Sequence, residues 1–226
     1  MINNIVITGA NRGIGFAMCK IFSEQGHNVY ALCRKSSEML NTLASKAANV
    51  HVITNVDVAT DDGIATMISA LKGITIHILV CNAGILRDEQ LGNIDIETIR
   101  EQFEVNAVAP LRVVDKLFQQ FTSGSKVAMI TSRMGSVADN GSGGRYGYRM
   151  SKAALNAASM SLSKDLASQD VAVGIYHPGY VQTDMVNNGG DISADESAGK
   201  LVNLIHELTM QESGVFKHSN GQILPW

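Results

Sequence analysis

The chain has 226 residues, 45% of them hydrophobic and 17% charged, with a formal net charge of -3. That length and composition suit one α/β domain with a substantial core and argue against disorder. Without a basic run, nucleic acid is a poor partner, and no apolar run is long enough to span a bilayer, so membrane insertion is not expected.

The opening "MINNIVITGA" lacks a basic n-region and a cleavage site, so no signal peptide is expected. "NNIVITG" is a β-rich run ending in glycine, and "IGFAMCKIFSEQG" follows with apolar residues at helical spacing and a stop at Gly26. "HNVYALCR" predicts a second strand, "SSEMLNTLASKAA" a helix and "NVHVITNVDV" a third strand. "DDGIATMISALKG" predicts a helix opened by acids, and "ITIHILVCNAG" a fourth strand. "IDIETIREQFEVNAVAPLRVVDKLFQQF" reads as one long helix in spite of Pro110, and "SKVAMITS" as a fifth strand. "YGYRMSKAALNAASMSLSKDLAS" predicts a second long helix, "VAVGIYHPG" a sixth strand and "SADESAGKLVNLIHELTMQ" the last helix. The terminal "GQILPW" is expected to close the sheet as a seventh strand.

Strands that are nearly continuous apolar runs, alternating with helices, belong to a parallel sheet buried on both faces. The prediction is α/β: a single Rossmann-type doubly wound domain over residues 1–226, with a seven-stranded, mostly parallel sheet flanked by helices. Cys19, Cys33 and Cys81 are odd in number and widely spaced, which predicts a reduced, cytoplasmic setting. The six histidines show no metal-ligand spacing, and no metal is expected.

"TGANRGIG", Thr8 to Gly15, lies between the first strand and the first helix. Gly9 permits a tight turn, and Gly13 and Gly15 let backbone approach a pyrophosphate at the helix N-terminus. The spacing departs from G-x-G-x-x-G, and no G-K-[ST] follows, so the turn points to a dinucleotide and not to a kinase or ATPase. Where an NAD enzyme usually places an acid, the second strand ends "ALCRK". Arg34 there and Arg12 in the turn can clamp a 2′-phosphate, which predicts NADP(H).

Tyr148 and Lys152 stand four residues apart, on one face of a helix. A free tyrosine has a pKa of about 10, and a nearby ammonium favours the phenolate, so the pair can exchange a proton with a carbonyl or an alcohol. Tyr146 has Met150 at its fourth position and lacks this partner.

TGANRGIG, CNAG, Ser132, Y-R-M-S-K and PGYVQT together resemble the short-chain dehydrogenase/reductase (SDR) family, in the family's order and over most of the chain. Within it, "YRMSKAALNAASMSLSKDL", "HPGYVQTDM" and "NGQILPW" are most similar to the C-factor-like and Sniffer-like carbonyl reductases. The resemblance implies that Ser132 hydrogen-bonds the substrate carbonyl, Tyr148 is the catalytic acid, and Lys152 lowers the Tyr148 pKa and holds the nicotinamide ribose. It further implies that Asn106 positions the long helix and a water linked to Lys152. Gly9, Asn11, Arg12, Gly13, Ile14 and Gly15 would bind the cofactor. Asp57 and Val58 would meet the adenine, and Asn82, Ala83 and Gly84 would line the cleft. Pro178, Gly179, Val181 and Thr183 would flank the nicotinamide. Ser136 is a rival to Ser132, and His177 reads as packed or backbone-bonded.

The function expected from all this is NADPH-dependent reduction of a carbonyl, with a small-molecule carbonyl or alcohol as partner. A dinucleotide-binding signalling protein of C-factor type and an alcohol dehydrogenase working oxidatively are the rivals. The family's helix packing implies a homodimer or homotetramer. Only "DMVNNGGDI" separates Thr183 from the last helix, so a short, flexible lid and a substrate site open to bulky carbonyls are expected.

Overall fold

Strand β1 (Asn4–Thr8) shows how the apolar runs are used: Ile5, Val6 and Ile7 are all fully buried, yet they alternate between two cores. Ile5 and Ile7 join the core under one face of the sheet and Val6 the core under the other. The computed structural model describes residues 2–226.

The chain then runs α1 (Gly13–Glu24), β2 (Asn28–Leu32), α2 (Glu38–Lys46), β3 (Val50–Ile53), α3 (Asp61–Ala70) and β4 (Ile76–Cys81). It continues through α4 (Ile96–Phe103), α5 (Ala109–Leu117), β5 (Phe121–Ile130), α6 (Tyr146–Asp165), β6 (Ala172–His177), α7 (Ala194–Glu207) and β7 (Phe216–His218). Among the described residues the seven strands form one sheet of order β3-β2-β1-β4-β5-β6-β7, with every pairing parallel. This is a Rossmann-type α/β domain, and the order reverses between β1 and β4. Ligands of such sheets bind at the carboxyl ends of the strands, at that reversal.

Two expectations are corrected. The seventh strand is Phe216–His218 and not "GQILPW". The α7 crossover delivers residues 216–218 parallel to β6, and the tail then turns back along them through His218 N to Gln222 O and Leu224 N to Phe216 O. A run as short and mixed as Phe-Lys-His carries no strand signal of its own. The long helix over 94–121 is likewise interrupted: α4 and α5 are joined by a π-helical turn, Glu104–Val108, in which Ala109 N bonds to Glu104 O. Pro110 has no N–H for the carbonyl of Asn106 four residues earlier, so the α ladder cannot run through this point.

Candidate active site

The glycine turn between β1 and α1 is built by close backbone approach. A Cβ on Gly9 would stand 2.9 Å from Ala83 Cα, and one on Gly15 only 2.3 Å from Gly9 O. Asn82 fastens the turn from the end of β4: its Nδ2 donates to Thr8 O and Gly9 O, both at 3.1 Å. Thr8 Oγ1 in return accepts from the Asn82 and Ala83 N–H groups. Asn11 O accepts from Ser37 Oγ at 2.6 Å.

The turn fits an anionic cofactor. Helices α2, α3, α4 and α7 are capped by their own Ser37, Thr60, Asp95 and Ser193 side chains. Helix α1 starts at Gly13, followed by Ile14 and Gly15, with neither a cap from Arg12 nor an acid in its first turn. Its first N–H groups are left for a phosphate.

Of the two arginines expected at a 2′-phosphate, Arg12 is engaged: its Nη1 lies 2.8 Å from Asp184 Oδ2. Arg34 Nη1 lies 3.9 Å from Asp57 Oδ2, with both groups part-exposed, while Val58 is buried beside them. On the opposite wall, Pro178 O accepts from Ser197 Oγ and Ser219 Oγ, Gly179 takes φ 95° and Val181 pairs with Ile192. Thr183 faces the glycine turn, its Cγ2 standing 3.4 Å from where a Gly13 Cβ would be.

At the chemistry end Ser132, Tyr148, Lys152 and Asn106 are all buried. Lys152 Nζ donates to Ile130 O at 3.0 Å and stands 5.8 Å from the Tyr148 ring centroid. Asn106 holds the Ile85 backbone twice, accepting from its N–H and donating to its carbonyl at 2.8 Å each, and donates to Ser151 Oγ at 3.0 Å. Gly84 completes the cluster: a Cβ there would stand 3.2 Å from Asn106 Oδ1 and 3.7 Å from Lys152 Nζ. Burial pushes the Tyr148 phenol up, opposed by hydrogen bonding from Ser132 and by the Arg145 guanidinium. Burial pushes Lys152 down to about 8. Ser136 Oγ accepts from Asp139 N, and Ser132 Oγ likewise accepts from Met134 N, each at 3.1 Å. His177 packs edge-on against His218 and its buried Nδ1 has no hydrogen-bond partner among the described residues, so it is packed and not backbone-bonded.

The model of the short chain dehydrogenase family matches residues 3–192. The chain belongs to the short-chain dehydrogenase family. Among curated relatives it is 33% identical over 99% of its length to all of 1-hydroxy-2-glutathionyl-2-methyl-3-butene dehydrogenase of Rhodococcus sp. (strain AD45). It is 39% identical to C-signal of Myxococcus xanthus, over 67% of this chain and 93% of that one. Among solved structures, carbonyl reductase Sniffer of D. melanogaster superposes with TM-score 0.92 at 27% identity over the whole of both chains. An NADPH-bound carbonyl reductase from chicken fatty liver gives 0.90 at 28%, over 100% of this chain and 99% of that one.

In this short-chain dehydrogenase a cavity of about 590 Å³ has Asp88, Leu91, Met134, Gly144, Arg145 and Tyr146 in its wall, and the four buried residues do not line it. Sequence reasoning missed Glu89 and Gln102, which are buried where α4 meets α6. A lone acid in "ILRDEQ" carries no signal for burial, because the donors that surround it come from two other elements.

Proposed function

We propose that the protein reduces the carbonyl of an aldehyde, ketone or quinone to the alcohol, using NADPH. The observation that carries the reading is the convergence of Ser132, Tyr148, Lys152 and Asn106 in one buried cluster. Bound nicotinamide would supply the hydride. Ser132 and Tyr148 would hydrogen-bond the developing alkoxide, and Tyr148 would release its proton to that oxygen. A phenol is protonated at neutral pH and so has a proton to give. Lys152 would steady the phenolate left behind and hold the nicotinamide ribose. The Asn106 carbonyl, which Pro110 cannot engage, would hold a water linked to Lys152. Gly9, Asn11, Gly13, Ile14 and Gly15 would meet the pyrophosphate, Arg12 and Arg34 the 2′-phosphate, and Asp57 and Val58 the adenine. Asn82, Ala83 and Gly84 would line the cleft, and Pro178, Gly179, Val181 and Thr183 the nicotinamide. The likeness to an NADPH-bound carbonyl reductase supports this assignment.

The oxidative direction is a second reading, favoured by the likeness to a Rhodococcus dehydrogenase. A signalling role without turnover is favoured by the likeness to C-signal, but binding alone would not need the four-residue cluster. Assaying aldehydes, ketones and quinones for loss of NADPH absorbance, and alcohols for its gain, separates the three. Turnover of no carbonyl would defeat the reductase reading.

A homodimer or homotetramer goes with this reading. Ile68, Leu111 and Met150 are 41%, 42% and 53% exposed on α3, α5 and α6, and a monomer in sedimentation at micromolar concentration would refute assembly. Three buried free cysteines suit a reducing, cytoplasmic setting. No helix among the described residues is long and apolar enough to cross a membrane.

A further inference from the structure

Helix α6 carries Tyr148 and Lys152, and its N-terminus is held by a group from outside the helix. At its N-cap, Arg145 has left-handed backbone, φ 51°, and offers no side-chain cap. The acceptor comes from the loop after β4. Glu89 is 3% exposed, and its Oε2 accepts from the Gly147 N–H at 3.2 Å. Its Oε1 accepts from Thr98 Oγ1 at 2.9 Å and from Gln102 Nε2, both on α4, and its main-chain carbonyl accepts from Arg145 N at 2.8 Å.

The chemistry of this junction asks for a carboxylate. Gln102 cannot turn its amide round, because its Oε1 already accepts from Arg87 N at 2.8 Å. The Gly147 N–H and the Gln102 amide are therefore fixed donors, one to each oxygen of Glu89, and only a group that accepts at both oxygens serves them both; the Thr98 hydroxyl has Asp95 O as a second acceptor at 3.0 Å. A glutamine would turn an NH₂ towards either the Gly147 N–H or the Gln102 amide. Negative charge is also favoured at a helix N-terminus. The fit leaves no slack: a Cβ on Gly147 would stand 2.5 Å from Gln102 Nε2 and 3.0 Å from Glu89 Oε1. Tyr148 is the next residue.

We propose that Glu89 is a positioning residue for the reaction. Its carboxylate seats the first turn of α6 against α4 and so sets where the Tyr148 hydroxyl stands relative to Ser132. This rests on the reductase reading given above. The loop that carries Glu89 also lines the cavity through Asp88, so the same anchor ties the substrate side to the acid.

The test compares Glu89→Gln and Glu89→Asp with wild type, well below the melting temperature of each, with a carbonyl that wild type turns over. Glu89→Gln should lower kcat roughly 10- to 100-fold, the scale of a misplacement of about 1 Å, while KM and the NADPH dissociation constant change less than about threefold. Glu89→Asp, which keeps both acceptor oxygens, should recover part of kcat. A Glu89→Gln protein that melts earlier but keeps wild-type kcat would show Glu89 to be a helix cap only, and would overturn the inference. Equal loss in both variants, or a loss confined to KM, would overturn it as well. Should Glu89→Gln not fold, the Glu89→Asp protein decides alone: kcat lowered at unchanged KM upholds the inference, and wild-type kcat overturns it. If wild type itself turns over no carbonyl, the reductase reading falls first and takes this inference with it.

Discussion

Arg12 on the glycine turn reaches Asp184, just beyond β6, with 2.8 Å between Nη1 and Oδ2. The pair joins the two walls of the cleft and holds one of the two guanidiniums that would otherwise meet a 2′-phosphate. Both side chains are more than 60% exposed, so the ion pair is weak and open to exchange for a phosphate. On the proposed function, Arg34 would then carry most of the cofactor preference. Tighter binding of NADPH than NADH is expected by fluorescence titration. Arg34→Asp should weaken NADPH by roughly 10- to 100-fold, the scale of one or two charged hydrogen bonds, and leave NADH little changed. Asp184→Asn should hold or improve NADPH affinity. Equal wild-type affinities would sink the assignment.

Tyr148→Phe removes the hydroxyl and keeps the packed ring. Loss of about 10²- to 10⁴-fold in kcat, with NADPH still bound, is expected from removal of a proton donor. Tyr146 lines the cavity and sits one residue before Gly147, so Tyr146→Phe should cost far less. Similar losses in the two variants would place the acid elsewhere.

Lys152 gives the protein a measurable dependence on pH. Burial lowers its pKa from 10.5 to about 8. Between those two values the unfolded chain holds a proton that the folded protein has released, so stability rises with pH through this window. Relative to Lys152→Met, wild type should gain about 1 kcal/mol between pH 7 and 9 in urea denaturation. The raised Tyr148 pKa acts in the opposite sense only above its ordinary value of 10.0. Parallel curves for the two proteins would show that Lys152 is not desolvated.

The segment after Thr183 is a short turn. Asp184–Val186 makes one 3₁₀ turn, Asn187 and Asn188 are left-handed, and Asp191 N returns to Tyr180 O at 2.8 Å. Such a segment covers little, and Tyr180 and Met185 stay 52% and 40% exposed. Bulky aromatic aldehydes, diketones or quinones should show higher kcat/KM than short aliphatic ketones. A sharp optimum at one small carbonyl would contradict an open site.

The alternation of apolar strands and helices, the glycine turn, and the Ser132, Tyr148 and Lys152 spacing are local patterns, and the chain alone determined them. Period two and period 3.6 are written in neighbouring residues, and backbone clearance at Gly9 and Gly15 is a property of glycine itself. The rest depends on residues far apart in the chain. β7 exists because α7 returns three residues to the free edge of β6, and the break in the long helix becomes a π turn where Asn106 is pulled onto Ile85. The pairing of Arg12 with Asp184 spans 172 residues, and Glu89 meets Gly147 across 58. Charges and donors of this kind take their partners from packing. Their roles are decided only when the sheet brings its carboxyl ends together at one edge.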